Sequence, residues 1–372
     1  MNKLGLYLHV PFCEQKCPYC DFYSVRGSEN LLNSYTDCMI DRIKYESDRI
    51  CRPADTLYFG GGTPGLLGGA RIARLIARAR ACFGLGGAEI TAEVNPGADL
   101  ADFLRGFASA GGNRLSVGMQ SADDGELALL GRRHTAAQAA DTVAAARAAG
   151  IANISLDLML GVQGQTVESV RRSAAFCAEL GARHVSAYLL KVEPRTAYYK
   201  NRESLRLPDE DETCALYEAA CGELEKHGLM QYEISNFARP GFESRHNLKY
   251  WRCEEYLGLG PAAHSFVDGK RFYEARDLRA FLDGRPPTED ADPEMPAGSP
   301  EEYAMLALRL AEGLRDEAYA ARFGGPAPEG WKRAAQKYER AGLTVCGPDG
   351  FRFTRRGFLV SNALLTEILY NL

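Results

Sequence analysis

The chain has 372 residues and 46% of them are hydrophobic, so it can bury a substantial core and is not a disordered chain. The 44 Lys and Arg residues and 49 Asp and Glu residues give a net charge of -5, which argues against a general nucleic-acid binder. The sequence shows no signal-peptide pattern and no apolar run of about 18 residues, so we expect a cytoplasmic protein without a membrane span.

Strand and helix patterns alternate along the first two thirds of the chain. Short segments rich in β-branched and aromatic residues predict strands at 4–10, 55–61, 89–95, 114–120, 153–160 and 184–190. Helical periodicity occupies the segments between them. Six βα units in series predict an α/β fold with a parallel sheet. Because two further units of a closed barrel are missing, we predict a partial, open (β/α)6 barrel similar to a TIM barrel.

The character of the sequence changes after residue 283. Segment 284–300 is rich in Pro and acidic residues, which is typical of a linker. Two helical patterns and a hairpin with Pro-Asp-Gly at its turn follow, and they predict a small winged-helix-like domain over 301–372. We therefore expect the barrel and its extension over 1–283. For the C-terminal domain of an acidic chain, a lid or docking role is favoured over DNA binding.

Three of the eleven cysteines, Cys13, Cys17 and Cys20, fall within eight positions directly after the first predicted strand. Three thiolates can hold zinc if His9 supplies the fourth ligand. They can also hold a [4Fe–4S] cluster that has one iron without a protein ligand, and such an iron can bind a substrate or cofactor. Structural zinc usually stabilises small domains with weak cores, so we favour the cluster.

Polar or glycine residues follow every predicted strand at its carboxyl end, where parallel barrels build their sites. The glycine run that begins at Gly60 predicts close backbone approach to a ligand, with free N–H groups as donors. Glu93 and Asp157 lie within strands, where an unpartnered carboxylate is costly. Either an internal cation such as Arg132 pairs with them, or a cationic or hydroxyl-bearing ligand does.

The motif C-x3-C-x2-C after the first strand, with the aromatic Tyr19 before the last cysteine, resembles the signature of the radical SAM family. Further segments resemble its coproporphyrinogen-dehydrogenase-like branch: "YFGGGTP", "AEVNP", "LSVGMQS", "LGRRH", "SLDLMLGVQGQT", "EISNFARPG" and "HNLKYW". The resemblance implies a [4Fe–4S] cluster, S-adenosylmethionine (SAM) on its open iron, and a reductant of the flavodoxin or ferredoxin type.

The resemblance also implies which residues hold SAM. A first SAM molecule would contact Tyr7, Tyr19, Gly61 and Glu93. A second SAM position would be lined by Gly62, Thr63, Gln120, Arg132 and Asp157.

Two features separate the members of this branch. The dehydrogenases carry a further cysteine where this chain has Phe22, and they have an extension before the first strand, for which we expect no room here. Both features favour the heme-chaperone members, which implies heme as cargo, heme-accepting proteins as partners, and a monomer or homodimer. The alternative is a coproporphyrinogen III dehydrogenase or another radical SAM tetrapyrrole enzyme. Whether SAM is cleaved stays open.

The heme-chaperone members carry an H-N-x-x-Y-W motif that is associated with heme. In this chain the motif comprises His246, Asn247, Tyr250 and Trp251. An imidazole can ligate heme iron and large aromatics can stack on a porphyrin, although the same pattern also fits a loop packed on the barrel. His264 is a second candidate ligand.

Overall fold

A computed structural model of the chain describes residues 3–370, so the outermost residues of the predicted domains, 1–2 and 371–372, lie outside the described part. The strands are β1 (Leu4–Val10), β2 (Ala54–Gly61), β3 (Glu89–Val94), β4 (Arg114–Gln120), β5 (Asn153–Leu160), β6 (His184–Leu189), β7 (Met230–Gln231), β8 (Asn236–Ala238), β9 (Tyr256–Leu259), β10 (His264–Val267), β11 (Lys270–Tyr273), β12 (Thr288–Glu289), β13 (Leu314–Arg315), β14 (Thr344–Gly347) and β15 (Gly350–Phe353).

Helices alternate with the first six strands and dominate the C-terminal part. They are α1 (Glu29–Ile50), α2 (Gly68–Phe83), α3 (Ala101–Ser109), α4 (Asp124–Leu129), α5 (Ala136–Ala148), α6 (Val167–Glu179), α7 (Ala197–Lys200), α8 (Glu210–Lys226), α9 (Arg245–Trp251), α10 (Leu278–Leu282), α11 (Pro300–Ala307), α12 (Asp316–Phe323), α13 (Glu329–Gln336), α14 (Arg355–Leu359) and α15 (Ser361–Leu369). In the described part of the chain, no helix is long and apolar enough to cross a membrane.

The large sheet confirms the predicted open, parallel barrel. Strands β1 to β6 are parallel and follow one another in sequence order, each within one residue of its prediction. The full order is β12-β11-β10-β9-β1-β2-β3-β4-β5-β6-β8-β7, so the sheet has two different edges and does not close. It is longer than predicted because β9 adds a parallel strand beside β1 and short antiparallel strands extend both edges. Strands of two to four residues are too short to show a hydrophobic period.

Side chains of the parallel strands alternate between the helix layer and the barrel interior. On β1, Leu6 and Leu8 are fully buried in the core, whereas Tyr7 and His9 line the interior. On β2, Leu57 and Phe59 are buried in the same core and Tyr58 lines the interior. This period of two aims every second residue of each strand into the barrel.

Helix α9 closes the amino end of the barrel. At its N-terminus the backbone N–H groups of Arg245 and His246 donate to the Glu89 carboxylate at 3.2 and 3.0 Å, a favourable place for a negative charge. Lys249 on the same helix pairs with Asp55 at 3.0 Å. A Cβ on Gly5 would lie 2.9 Å from the Lys249 Cδ, so glycine on β1 permits this close approach.

The C-terminal elements build a second core around Trp331, Phe351 and Phe353, and Tyr256 of β9 and Phe266 of β10 belong to the same cluster. The two predicted helical segments correspond to α11 and α13 and the predicted hairpin to β14–β15, whereas α12 and β13, which completes a three-stranded sheet, were not predicted. The predicted linker 284–300 is partly built into the main sheet, because β12 pairs with β11.

Candidate functional site

A cavity of about 850 Å³ opens at the carboxyl ends of the parallel strands. Its wall includes eleven residues proposed from the sequence for the cluster and SAM: Tyr7, Cys13, Cys17, Tyr19, Cys20, Gly61, Gly62, Glu93, Gln120, Arg132 and Asp157. Thr63 lies behind this wall, where its hydroxyl is 3.5 Å from the Cys13 sulfur. The fold therefore brings side chains from five strands and the cysteine loop to one place, as expected for a parallel barrel.

The cysteine loop presents three free thiols to this cavity. The Cys17 sulfur accepts a hydrogen bond from the Arg132 Nη1 at 3.3 Å, and backbone bonds between Cys13 and Val25 and between Val25 and Pro11 hold the base of the loop. Within residues 3–370, no three His, Cys, Asp or Glu side chains converge closely enough for a single metal ion. The cysteines of a [4Fe–4S] cube each ligate a different iron, so they surround a volume rather than a point.

His9 does not complete a zinc site in this arrangement. Its Nδ1 is 3.1 Å from the Tyr7 hydroxyl and its Nε2 is 2.9 Å from the Tyr23 carbonyl, so both ring nitrogens have partners. Burial lowers the pKa of His9 to about 4, which keeps the ring neutral near pH 7. Its contacts tie β1 to the end of the cysteine loop.

The glycine run fixes the loop to the barrel. Gly61 has a φ of 103°, and a Cβ there would lie 2.3 Å from the His9 ring. A Cβ on Gly62 would lie 2.6 Å from the Phe12 carbonyl oxygen. The expected free N–H groups are in use, because Gly61 donates to Glu93 at 3.1 Å and Gly62 donates to the Val10 carbonyl at 2.9 Å. The close backbone approach is real, but it joins two segments of the chain.

Glu93 is a carboxylate without a cationic partner. Its oxygens accept hydrogen bonds from the Tyr58 hydroxyl at 2.8 Å and from the Gly61 N–H at 3.1 Å, and no ion pair to it forms in residues 3–370. Burial and, secondly, the charge of Asp157 raise its pKa to about 7. The internal pairing weighed from the sequence is absent here, which leaves the carboxylate suited to a cationic ligand in the cavity.

Arg132 serves the cysteine loop and the adjacent strand ends. Its Nη2 donates to the Asn95 Oδ1 at 2.9 Å and to the Gly118 carbonyl at 2.5 Å, while its buried Nε has no partner in the part of the chain that the structure describes. The Asp157 carboxylate instead accepts from the Ser116 hydroxyl at 3.1 Å, and burial raises its pKa.

Gln120 shows two marks of a ligand-binding residue. Its φ of 72° is left-handed, which is strained for a residue with a side chain, and it ends β4 at a register irregularity. Its Oε1 is buried and has no hydrogen-bond partner among residues 3–370, as is the case for the Nε of Arg132. Unpaired buried polar atoms are costly in a folded protein, so the residues present fit a polar cofactor in this cavity.

Asp21, which the sequence did not single out, fastens the cysteine loop to both sides of the opening. It accepts two hydrogen bonds from Arg195, at 3.0 Å from Nε and 2.7 Å from Nη2. Arg276 donates to the Asp21 carbonyl at 2.6 Å from the opposite side. The hydrogen bond from Arg195 is the main cause that lowers the pKa of Asp21. No spacing in the sequence links residues 21, 195 and 276.

Comparison with known proteins places the chain among its relatives. The Radical SAM superfamily profile matches residues 7–177, and the HemN C-terminal domain profile matches residues 299–360. The chain is 35% identical over 388 residues to the heme chaperone HemW of Escherichia coli strain K12, covering 99% of each chain. It is 33% identical over 379 residues to the heme chaperone HemW of Bacillus subtilis strain 168, covering 98% of each. The chain belongs to the HemW family of radical SAM proteins.

A solved structure supports the fold of this HemW family member. Coproporphyrinogen III oxidase (HemN) from Escherichia coli superposes with a TM-score of 0.81 at 21% sequence identity, covering 100% of this chain and 91% of that one. The two domain profiles and the full-length HemW relatives confirm the family resemblance seen in the sequence. Membership of the radical SAM family implies a [4Fe–4S] cluster and SAM.

The HNxxYW motif of this HemW family member forms most of α9. His246 is 1% exposed, and its ring nitrogens lie 2.8 Å from the Thr56 hydroxyl and 2.7 Å from the Tyr250 hydroxyl. Its ring also stacks on Tyr58 at a centroid distance of 5.2 Å. Tyr250 lines the cavity, whereas His246, Asn247 and Trp251 do not. In this position His246 supports the cavity floor and does not offer a nitrogen to a ligand.

Sequence reasoning missed several other residues of the cavity wall: Tyr58, Ser116, Tyr188 and Lys16. Tyr58 and Ser116 were detectable, since they share the inward-facing register of their strands with Gly60 and Gln120. No site residue was predicted on β6, and Lys16 lies on a loop, where no period indicates direction.

Proposed function

We propose that the chain is a cytoplasmic heme chaperone that holds a [4Fe–4S] cluster and SAM, binds heme, and delivers it to acceptor proteins. One observation carries the proposal: three free thiols on one loop face a cavity whose deeper wall holds polar atoms without partners, Gln120 Oε1 and Arg132 Nε. The full-length similarity to the HemW heme chaperones supports heme as the cargo.

In this proposal Cys13, Cys17 and Cys20 ligate the cluster, and its fourth iron takes SAM. When bound, the cluster supplies a single electron and an open coordination position. A first SAM contacts Tyr7, Tyr19, Gly61 and Glu93, and a second position is lined by Gly62, Gln120, Arg132 and Asp157, with Thr63 behind the wall at Cys13.

The protein groups have distinct tasks. The carboxylate of Glu93, held by Tyr58 and Gly61, attracts the positive charge of SAM. Arg132 donates a hydrogen bond to the Cys17 sulfur, which stabilises negative charge on the thiolate. Asp21, bound by Arg195 and Arg276, keeps the loop against the barrel. The buried aromatic floor excludes water from below.

A second candidate function is oxidation of a porphyrinogen, favoured by the superposition with HemN over the entire chain. Against it, position 22 carries phenylalanine, which is 65% exposed beside Cys20 and cannot act as a further thiol. The chaperone function is therefore the one the site supports best.

Reconstituted protein tests both functions in one experiment. The protein is incubated without oxygen with coproporphyrinogen III, SAM and reduced flavodoxin, and in parallel with one equivalent of hemin followed by an apo-hemoprotein. We expect no protoporphyrinogen, stoichiometric heme uptake, and transfer to the acceptor. Turnover of coproporphyrinogen would reject the chaperone proposal. Colourless protein that contains zinc but no iron would reject the cluster itself.

A further inference from the structure

His264 has free ring nitrogens in the wall of the cavity. It begins β10, where its side chain is exposed and lines the opening. In the described part of the chain its imidazole packs against Tyr273, with ring centroids 5.6 Å apart, and neither nitrogen has a hydrogen-bond partner. A neutral imidazole with an accessible nitrogen is a good ligand for iron.

The other histidines of the described chain are committed to internal contacts. His9, His184 and His246 each use both ring nitrogens in hydrogen bonds. His134 is buried and binds the Met119 carbonyl, and His227, which follows the last residue of α8, pairs with Glu223 at 3.3 Å. Of the two histidines that line the cavity, only His264 is free to bind a ligand.

Large apolar side chains surround the same opening. Phe22 is 65% exposed, Tyr188 is 40% exposed and Leu189 is 38% exposed, and all three line the cavity. Phe22 lies on the cysteine loop, whereas Tyr188 and Leu189 end β6. Exposed apolar residues gathered at a cavity mouth indicate a ligand with an apolar face, and aromatic rings stack well on a flat macrocycle.

Positively charged side chains lie at the same opening of the cavity. Lys16, Lys191 and Arg276 line the cavity. In residues 3–370 Lys16 forms no ion pair, while Lys191 pairs with Glu193 at 3.0 Å in an exposed position. Positive groups beside an apolar surface match the two propionate groups of heme, which carry its negative charge on one edge of the ring.

We propose that heme binds at the mouth of the cavity with His264 as the axial ligand of its iron and with its macrocycle against Phe22 and Leu189. The inference rests on the heme-chaperone function proposed above and names the site that performs it. One axial position of the iron then stays open to a ligand of the acceptor protein. Transfer consists of ligand exchange: a bond from the acceptor to iron forms, the bond between iron and the His264 nitrogen breaks, and no electron is gained or lost.

The test is a hemin titration of reconstituted full-length protein, followed by absorption and resonance Raman spectra of the reduced heme. His264→Ala is compared with wild type and with the matched control His227→Ala. We expect His264→Ala to lose the iron–histidine stretching band and to weaken heme binding by about tenfold or more, and added imidazole to restore the wild-type spectrum. His227→Ala should match the wild type in both readouts.

Two results have different meanings. If wild type binds heme and His264→Ala keeps the affinity and the iron–histidine band, the assignment of His264 is wrong and the chaperone function stands. If wild type takes up no heme, the proposed function itself fails. His246→Ala tests whether His246 ligates the iron or only supports the cavity floor. The iron–histidine band should persist in the heme that this variant binds, and loss of the band would overturn the assignment of His264 as the ligand.

Discussion

We predict that Glu93 makes the binding of SAM depend on pH. Its carboxyl has a pKa of about 7 in the folded chain, raised first by burial and then by Asp157. The ionised form attracts a cationic ligand and the protonated form does not, so affinity falls as pH drops through 7. At pH 8 about a tenth of the carboxyl is protonated and at pH 6 about nine tenths is, which makes the dissociation constant about tenfold larger at pH 6.

The assay is an anaerobic titration of cluster-loaded protein with SAM between pH 6 and pH 8, by calorimetry. Glu93→Gln keeps the size of the side chain and removes its ionisation, so its dissociation constant should be larger at pH 8 and change about tenfold less over this range. Titration of SAM itself is common to both proteins and cancels in the comparison. Glu233→Gln is the matched control, because burial also raises the pKa of Glu233 to about 7 but this residue does not line the cavity. Parallel pH profiles for wild type and Glu93→Gln would refute the reasoning.

Three further predictions concern the cysteine loop. Arg132→Gln removes the charged donor 3.3 Å from the Cys17 sulfur, and the reduction potential of the cluster should fall by about 60 mV in an EPR-monitored redox titration; an unchanged potential would contradict the contact. Asp21→Asn removes the charge that Arg195 binds and leaves the backbone carbonyl bound by Arg276, so a chelator should remove iron severalfold faster, whereas equal rates would show that Arg195 does not hold the loop. Gly62→Ala places a Cβ 2.6 Å from a backbone oxygen and should lower the iron content of the protein without changing its circular dichroism spectrum. Gly222→Ala is the control, because a Cβ at that position would have no atom within 4 Å.

The order of the six parallel strands and the polar residues at their carboxyl ends were predictable from sequence because these strands are long enough to show a period. Each of β1 to β6 lies within one residue of its prediction, and the strand-end rule alone located Glu93, Gln120 and Asp157. The position of a residue along a strand does not show, however, which side chains it will contact. The sequence could not show that Arg132 would bind a cysteine sulfur instead of a carboxylate.

Contacts between distant segments were beyond the reach of the sequence. His246 carries a motif that suggests a heme ligand, but its ring nitrogens bond Thr56, 190 residues earlier, and Tyr250. His264 carries no such motif and lies free in the cavity wall. The difference arises from α9 entering the barrel, which depends on the absence of a side chain at Gly5.

The position of α9 has a consequence for the order in which the chain folds during synthesis. The six predicted strands are complete at residue 189, but the carboxylates of Glu89 and Asp55 receive their partners only when residues 245–249 have emerged. β9, which pairs with β1, comes later still. A nascent barrel is thus left open at its amino end for more than 50 residues of translation, and the buried starts of β2 and β3 stay accessible to water during that time.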